Sequence, residues 1–292
     1  MDFTIPKPLE ELRDRVSAFV REKIIPFEKD PRWGHHGIPE DLRRDLNNAA
    51  KEAGLLGINS PEEFGGKGFS HFEQAVVFEA AGYSILGPIA LHFHAPDEGN
   101  IHMLDVIATP AQRKKYLSRL ATGEVRSCFA MTEPDGGAGA DPLLLKTRAV
   151  PDGNGYVING RKWLITGAEG AAFAIIMART GDGPADCTMF LTELPNPAFK
   201  ISRVLGTMDT SFMGGRAVIA GCGAAAEGGM LLGRIQTMET AEEYDLECNL
   251  SEFFKGRVYL PTLLEALHYC RTHPAATIDV PTSEWPLLTY HA

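Results

Sequence analysis

Cysteine pairing has little to work with in this chain. Cys128, Cys187, Cys222, Cys248 and Cys270 are odd in number, widely spaced and form no C-x-x-C. That excludes a disulfide framework and a thiol-rich metal cluster. It makes the cysteines reduced thiols of a cytoplasmic protein, mostly buried as small hydrophobes. Clustered positive charge is also missing. Lys and Arg total 28 against 38 Asp and Glu, for a formal net charge of −10, and no basic stretch stands out. A nucleic-acid footprint and an anionic membrane surface are therefore excluded as partners. No apolar run approaches the ~20 residues of a membrane span. The start, "MDFTIPKPLEELRDRV", carries no apolar signal core. Internal repeats and low-complexity tracts are absent too.

The chain has 292 residues, 44% hydrophobic, enough for two domains with sizeable cores. The spacing predicts an α+β protein: an all-helical domain over 1–122, an antiparallel β-barrel over 123–220, and an atypical tail over 221–292. In the first part Leu9, Leu12, Val16, Phe19 and Val20 share one helical face that Pro26 closes. Leu42, Leu46 and Ala49 repeat the pattern, with Gly54 as the stop. Ser70 and Glu73 form a capping-box spacing ahead of Phe72, Val76, Ala80 and Tyr83. Thr109-Pro110-Ala111-Gln112 makes the same arrangement before Leu117 and Leu120.

After Gly123 the period shortens. "RSCFAM", "LKTRAV", "YVING", "KWLIT", "AFAIIMAR", "CTMFLTE" and "GRAVIA" read as strands, with turns at 151–155 and 181–186. "GCGAAAEGG" breaks that pattern where another strand would be expected. A helix is expected from Pro261, with Leu263, Leu264, Leu267 and Cys270 on one side, followed by an extended ending.

Residues 127–142, "SCFAMTEPDGGAGADP", hold the chemistry. A strand that stops at Pro134 frees the Thr132 hydroxyl and nearby amides to face a ligand. Gly136, Gly137 and Gly139 then allow close backbone approach, as phosphates require, or simply supply positive φ in a turn. The loop by itself favours the turn. Its surroundings reverse that balance. "GLLGINSPEEFGGKG" (54–68), "APDEGN" (95–100), "YLSRLATGEVRSCFAMTEP" (116–134) and "INGRKWLITGA" (158–168), in this order, resemble the acyl-CoA dehydrogenase family over 5–219.

The resemblance implies an FAD between the barrel and a C-terminal helical bundle. It also implies an acyl-CoA substrate, α,β-desaturation, an electron-transfer flavoprotein as acceptor, and a homo-oligomer. Thr132, with backbone help from Met131, would donate to the pyrimidine end of the isoalloxazine, and Thr166 would bond near N5 and O4. Phe129, Gly137, Gly139, Ala140, Trp163 and Leu164 complete the cofactor-lining set it implies. Two departures stand inside the match. Ala140-Asp141 occupies the place of the family's Gly-Ser-Asp, and Leu164 replaces an aromatic that here sits one position earlier, as Trp163. Strand alternation sends Trp163 and Leu164 to opposite faces, so Trp163 reads equally as core and as flavin shield.

Family members continue into a bundle of roughly a hundred residues that supplies the catalytic carboxylate. Only 59 residues come after Gly233, with none of its motifs, although "MLLG" (230–233) resembles the family's segment just past the barrel. A disrupted ending, weak FAD binding and little turnover by this chain alone are expected, and no catalytic residue is assigned. Glu239, Glu242, Glu243 and Glu247 read as a solvated helix face, Cys128 as a core thiol, and His35-His36 as a loop pair. His92, His94 and His102 could be drawn as metal ligands, but no Cys or further His recurs at ligand spacing, so they read as packing or surface residues and no metal is expected. Two rivals remain. One is an oxygen-using acyl-CoA oxidase, nitroalkane oxidase or flavin monooxygenase on the same fold, and the other is a non-catalytic binding or assembly relative.

Overall fold

Helical spacing in the first 121 residues becomes helices that bury one face each. A computed structural model describes residues 4–34, 37–152, 155–183, 186–205, 216–222, 224–226 and 230–235. Residues 1–237 form one compact unit and 238–292 a second. The helix expected from Pro261 and the acidic set Glu239, Glu242, Glu243 and Glu247 lie outside the described residues, as does the His35-His36 pair.

Helix α1 (Lys7–Phe19) buries Leu9, Val16 and Phe19. It widens through Val20–Ile24, and Pro26, which has no N–H to continue the ladder, falls in a tighter turn at Ile25–Lys29. Helix α2 (Glu40–Glu52) buries Leu42, Leu46 and Ala50, and with them Arg43 and Asn47. Helix α3 (His71–Ala81) opens on the expected capping box: Glu73 N donates to the Ser70 hydroxyl, and Ser70 N donates to the Glu73 carboxylate. Its buried face is Val76, Val77, Ala80 and Ala81. Phe72 and Tyr83, expected on that face, are exposed. Tyr83 lies past the Gly82 stop, where Arg21 sits over its ring. Three short helices surround a longer one: α4 (Gly87–Ala90), α5 (Asp97–Ile107), α6 (Pro110–Gln112) and α7 (Ser118–Ala121). Thr109 and Gln112 make the second capping box at α6.

Ten strands come next among the described residues: β1 (Ser127–Ala130), β2 (Arg148–Asp152), β3 (Gly155–Asn159), β4 (Arg161–Thr166), β5 (Phe173–Arg179), β6 (Cys187–Glu193), β7 (Phe199–Leu205), β8 (Arg216–Cys222), β9 (Ala224–Ala226) and β10 (Met230–Ile235). They form a seven-stranded sheet, β10-β6-β5-β2-β3-β9 with β1 also beside β5, and a three-stranded sheet, β4-β8-β7. The sheet is mixed where an antiparallel barrel was expected. β1 runs parallel to β5 across Ser127–Ala130, and Arg148 of β2 pairs parallel with Arg179 of β5. β5 is buried along its whole length, as a central strand covered on both faces must be.

Strand structure also passes the expected limit at 220. β9 pairs with β3, and β10 pairs with β6. Three alanines give β9 no apolar alternation, which hides it from pattern reading. Strand β7 was missed too, although Phe199 and Ile201 alternate with Lys200 and Ser202.

One core lies between the sheets. Cys128, Ala149, Ile158, Ile176 and Phe190 of the larger sheet cluster with Ile165, Phe199 and Ile219 of the smaller. Phe190 has no exposure, and its ring lies 5.0 Å from that of Tyr156. Phe190→Ala should lower the unfolding free energy by about 3–5 kcal/mol in a urea titration. A loss below about 1 kcal/mol would contradict this packing.

Candidate functional site

Strand β1 ends at Ala130, and Met131–Thr132–Glu133–Pro134 continues alongside β4. Two neighbouring residues of β4 fix it there. Trp163 N donates to Thr132 O at 3.0 Å. The Lys162 ammonium donates to Met131 O at 2.9 Å and to Glu133 Oε1 at 2.7 Å. Lys162 has no exposure and Glu133 is buried. The same carboxylate accepts from Lys146 N at 2.6 Å and Thr147 N at 3.0 Å, and Glu133 N donates to Ala138 O at 2.7 Å. One side chain therefore ties the end of β1, the glycine loop, the approach to β2 and β4 together. Burial alone would raise the Glu133 carboxyl, but hydrogen bonds from Lys162, Thr147 and Lys146 outweigh it and hold the group below its usual value. It is an anchored anion, unsuited to take a proton.

Glu133 and Lys162 point inward, and their neighbours are left to face outward. Thr132 and Thr166 are half-buried. Neither hydroxyl has a hydrogen-bond partner among the described residues, so both are free to donate. Between Lys162 and Ile165 the pairing of β4 with β8 slips, and Leu164 takes a left-handed backbone at φ +57°. This bulge cancels the expected alternation. Lys162 and Ile165 point inward, while Trp163 and Leu164 are 38% and 40% exposed. Trp163 is therefore not core. Positive φ at a leucine is strained, and such strain collects at ligand sites.

The loop divides its glycines between tasks. Asp135 (φ +59°) and Gly136 (φ +70°) make the turn. A Cβ on Gly137 would lie 2.6 Å from Glu133 Cβ, so this glycine serves the packing of Glu133. Around Gly139 nothing lies within 4 Å of a Cβ, which leaves room for a ligand to reach the backbone. Ala140 is exposed beside it, ahead of the turn Pro142–Leu144 that Asp141 caps by accepting from Leu143 N. Phe129 and Met131 are half-buried at the end of β1. A free Thr132 hydroxyl, a free Thr166 hydroxyl and an apolar ledge suit a flat heterocycle with a polar edge.

A second cluster was not foreseen. His92, His94 and Asp97 each bring a ligand-type atom to within 4.8 Å of the others. His92 and Asp97 are each 1% exposed, and His94 keeps 12% of its side chain exposed. Burial lowers both imidazoles, His94 to about 4, against the pull of Asp97, so both rings are neutral near pH 7. The signal available in sequence was H-x-H-x-x-D at the start of α5. Nearby, Glu40 bonds both Arg43 and Arg126, and Arg126 reaches Gly167 O and Glu169 O beyond the end of β4.

Family models for the acyl-CoA dehydrogenase N-terminal domain and middle domain match residues 7–124 and 128–217. Acyl-CoA dehydrogenase family member 11 of Gallus gallus is 30% identical over 210 residues, 67% of this chain and 26% of that protein. The probable acyl-CoA dehydrogenase FadE2 of Mycobacterium tuberculosis is 33% identical over 215 residues, 70% of this chain and 52% of that one. Among solved structures, a putative acyl-CoA dehydrogenase from Mycobacterium abscessus superposes with a TM-score of 0.69 at 29% identity, covering 79% of this chain and 61% of the other. A glutaryl-coenzyme A dehydrogenase in complex with glutaryl-CoA gives 0.65 at 27%, covering 80% and 58%. The chain spans about a quarter to a half of the length of these curated relatives.

Lys162→Met leaves Glu133 buried without its charged partner and should cost about 3–5 kcal/mol at pH 7. The folded-state carboxyl lies below its unfolded value near 4.3. Its contribution is therefore complete above that value and is lost as pH falls through the depressed folded one. Urea unfolding of the wild type should show this acid loss, and Lys162→Met should show less of it. Equal stability of the two proteins at pH 7 would remove the pair from the account.

Proposed function

The chain belongs to the acyl-CoA dehydrogenase family, and from that premise we propose that residues 123–220 carry the isoalloxazine-facing wall of an FAD-dependent acyl-CoA dehydrogenase. The observation that carries this reading is the pair of unpartnered hydroxyls, Thr132 and Thr166, beside the exposed Trp163-Leu164 ledge. Bound FAD would supply the acceptor for the β-hydride of an acyl-CoA thioester, with the α-proton going to a base. Thr132 would donate to the pyrimidine end and Thr166 near N5 and O4, and as reduction gathers negative charge at the pyrimidine side these bonds would strengthen. Trp163 and Leu164 cover the ring and exclude water. Gly139 and its neighbours Ala140 and Asp141 give phosphate oxygens access to backbone amides, in place of a serine hydroxyl.

Glu133 is engaged by Lys162 and two amides, so it is not the base, and none is assigned among the described residues. We propose a division near residue 122, supported by the last helix ending at Ala121 and the first strand starting at Ser127. The family reading also supports an electron-transfer flavoprotein as acceptor and a homo-oligomer. A cytoplasmic setting fits Cys128 and Cys187, both buried and in no disulfide. No helix among the described residues is long and apolar enough to cross a membrane.

Anaerobic mixing of the FAD-loaded protein with short- and medium-chain acyl-CoAs tests the activity. Bleaching of the flavin band supports dehydrogenation, while full flavin occupancy with no bleaching by any acyl-CoA counts against it. Thr132→Val should lower the midpoint potential of bound flavin by about 20–65 mV, the equivalent of about 1–3 kcal/mol for two electrons. An unchanged potential with flavin still bound would take Thr132 out of the site.

A further inference from the structure

We propose that His92, His94 and Asp97 form a site for one divalent transition-metal ion of the zinc class, which joins the start of α5 to β1 and to the end of α7.

His92 Nε2 lies 2.6 Å from Leu120 O. A carbonyl can only accept, so Nε2 carries the proton and Nδ1 keeps a lone pair. That Nδ1 is buried and has no partner among the described residues. Asp97 Oδ1 accepts from Ser127 N at 2.8 Å and from the Ser127 hydroxyl at 2.6 Å. Asp97 Oδ2 is buried and also lacks a partner among the described residues. His94 Nδ1 is a third such atom, and its Nε2 stands 3.6 Å from Asp97 Oδ2, too far for a hydrogen bond.

The His92 Nδ1 lone pair and Asp97 Oδ2 therefore share one small space, and His94 Nε2 is a third ligand atom beside them when its proton sits on Nδ1. Lone pairs buried this way are costly unless something positive meets them. Two imidazoles and a carboxylate are a donor set that suits zinc and its neighbours, with a fourth position for water.

The surroundings supply what such a site needs beyond its ligands. Leu120 O orients His92 through the far ring nitrogen, and Ser127 orients Asp97, itself fixed by Asn100 Nδ2 at 2.9 Å. His92 also takes a left-handed backbone at φ +62°, a strained conformation for a residue with a side chain. A cavity of about 300 Å³ lined by Phe78, Pro88, Phe93 and His94 puts open space against one member of the cluster. Tetrahedral metal–ligand bonds near 2 Å require a pair of ligand atoms as far apart as 4.8 Å to close by about 1.5 Å. His94 has the freedom to do this, with 12% of its side chain exposed. The neighbouring guanidiniums of Arg43 and Arg126 are both paired with Glu40, which partly offsets their charge.

The test uses the full chain, free of affinity tag and stripped with chelator. Zn2+ is added against a chromophoric competitor, and Co2+ is followed by its visible ligand-field absorption. The expected result is one equivalent of either ion per chain, with a raised unfolding temperature in Zn2+. His94→Ala and Asp97→Asn should each weaken binding by at least about tenfold and abolish the Zn2+-dependent thermal shift. Asp97→Asn keeps an acceptor for Ser127, and far-UV circular dichroism reports whether each variant is folded. If one variant fails to fold, the other decides. Absence of stoichiometric Zn2+ and Co2+ binding by the wild type overturns the proposal, because the space then holds only water. Binding that survives His94→Ala overturns it as well.

Discussion

A lysine with no solvent exposure holds a buried glutamate, and the candidate site depends on that contact. Lys162 and Glu133 lie on segments that pattern alone would leave independent, one inside β4 and the other past the end of β1. Burying both charges is not in itself a source of stability, since the desolvation each suffers rivals their attraction. What the pair does is fix register. With Lys162 also bonded to Met131 O and Trp163 N bonded to Thr132 O, the Thr-Glu-Pro segment cannot slide along β4. Thr132 and the Trp163-Leu164 ledge are thereby set side by side. Gly137 is part of the same constraint, because any side chain there would strike Glu133.

A second buried network frames the junction between helices and sheets. Arg43 and Arg126 share Glu40. Arg43 reaches Gly123 O, where the helices end, and Arg126 reaches the carbonyls just past β4. Asp97 ties the first turn of α5 to the first residue of β1. The helical part therefore positions the start of β1, and Glu133 positions its end. The His92-His94-Asp97 cluster adjoins the first of these anchors, at the start of β1, while Thr132 and the Trp163-Leu164 ledge follow its end.

Much of this was legible in the sequence, for identifiable reasons. Capping boxes at Ser70 and Thr109 use short-range spacing, and both are present in the structure. Seven strands match β-branched and aromatic runs bounded by turns. Pattern reading failed where geometry is not local. The mixed pairing of β1 with β5 depends on residues some 45 positions apart. The bulge in β4 exposes Trp163 through a backbone turn at Leu164 that no residue type announces. Strand β9 is three alanines paired by β3, with no side-chain signal at all. At the site, Thr132 and Thr166 came from a family resemblance. The Glu133–Lys162 pair was missed, because charged residues in strands are ordinarily assigned to the surface. The histidines were weighed together as metal ligands and set aside because no further His or Cys recurs at ligand spacing, and only the fold sets His92 and His94 against Asp97.

The central claim is that the Glu133–Lys162 pair presents Thr132 and the Trp163-Leu164 ledge to a flavin. Tryptophan fluorescence during an FAD titration tests it most directly. The chain has three tryptophans, Trp33, Trp163 and Trp285, so the signal must be compared with Trp163→Phe. The account predicts quenching that saturates at one FAD per chain, most of it lost in Trp163→Phe while flavin still binds. Full flavin binding with the Trp163 emission unchanged would contradict it.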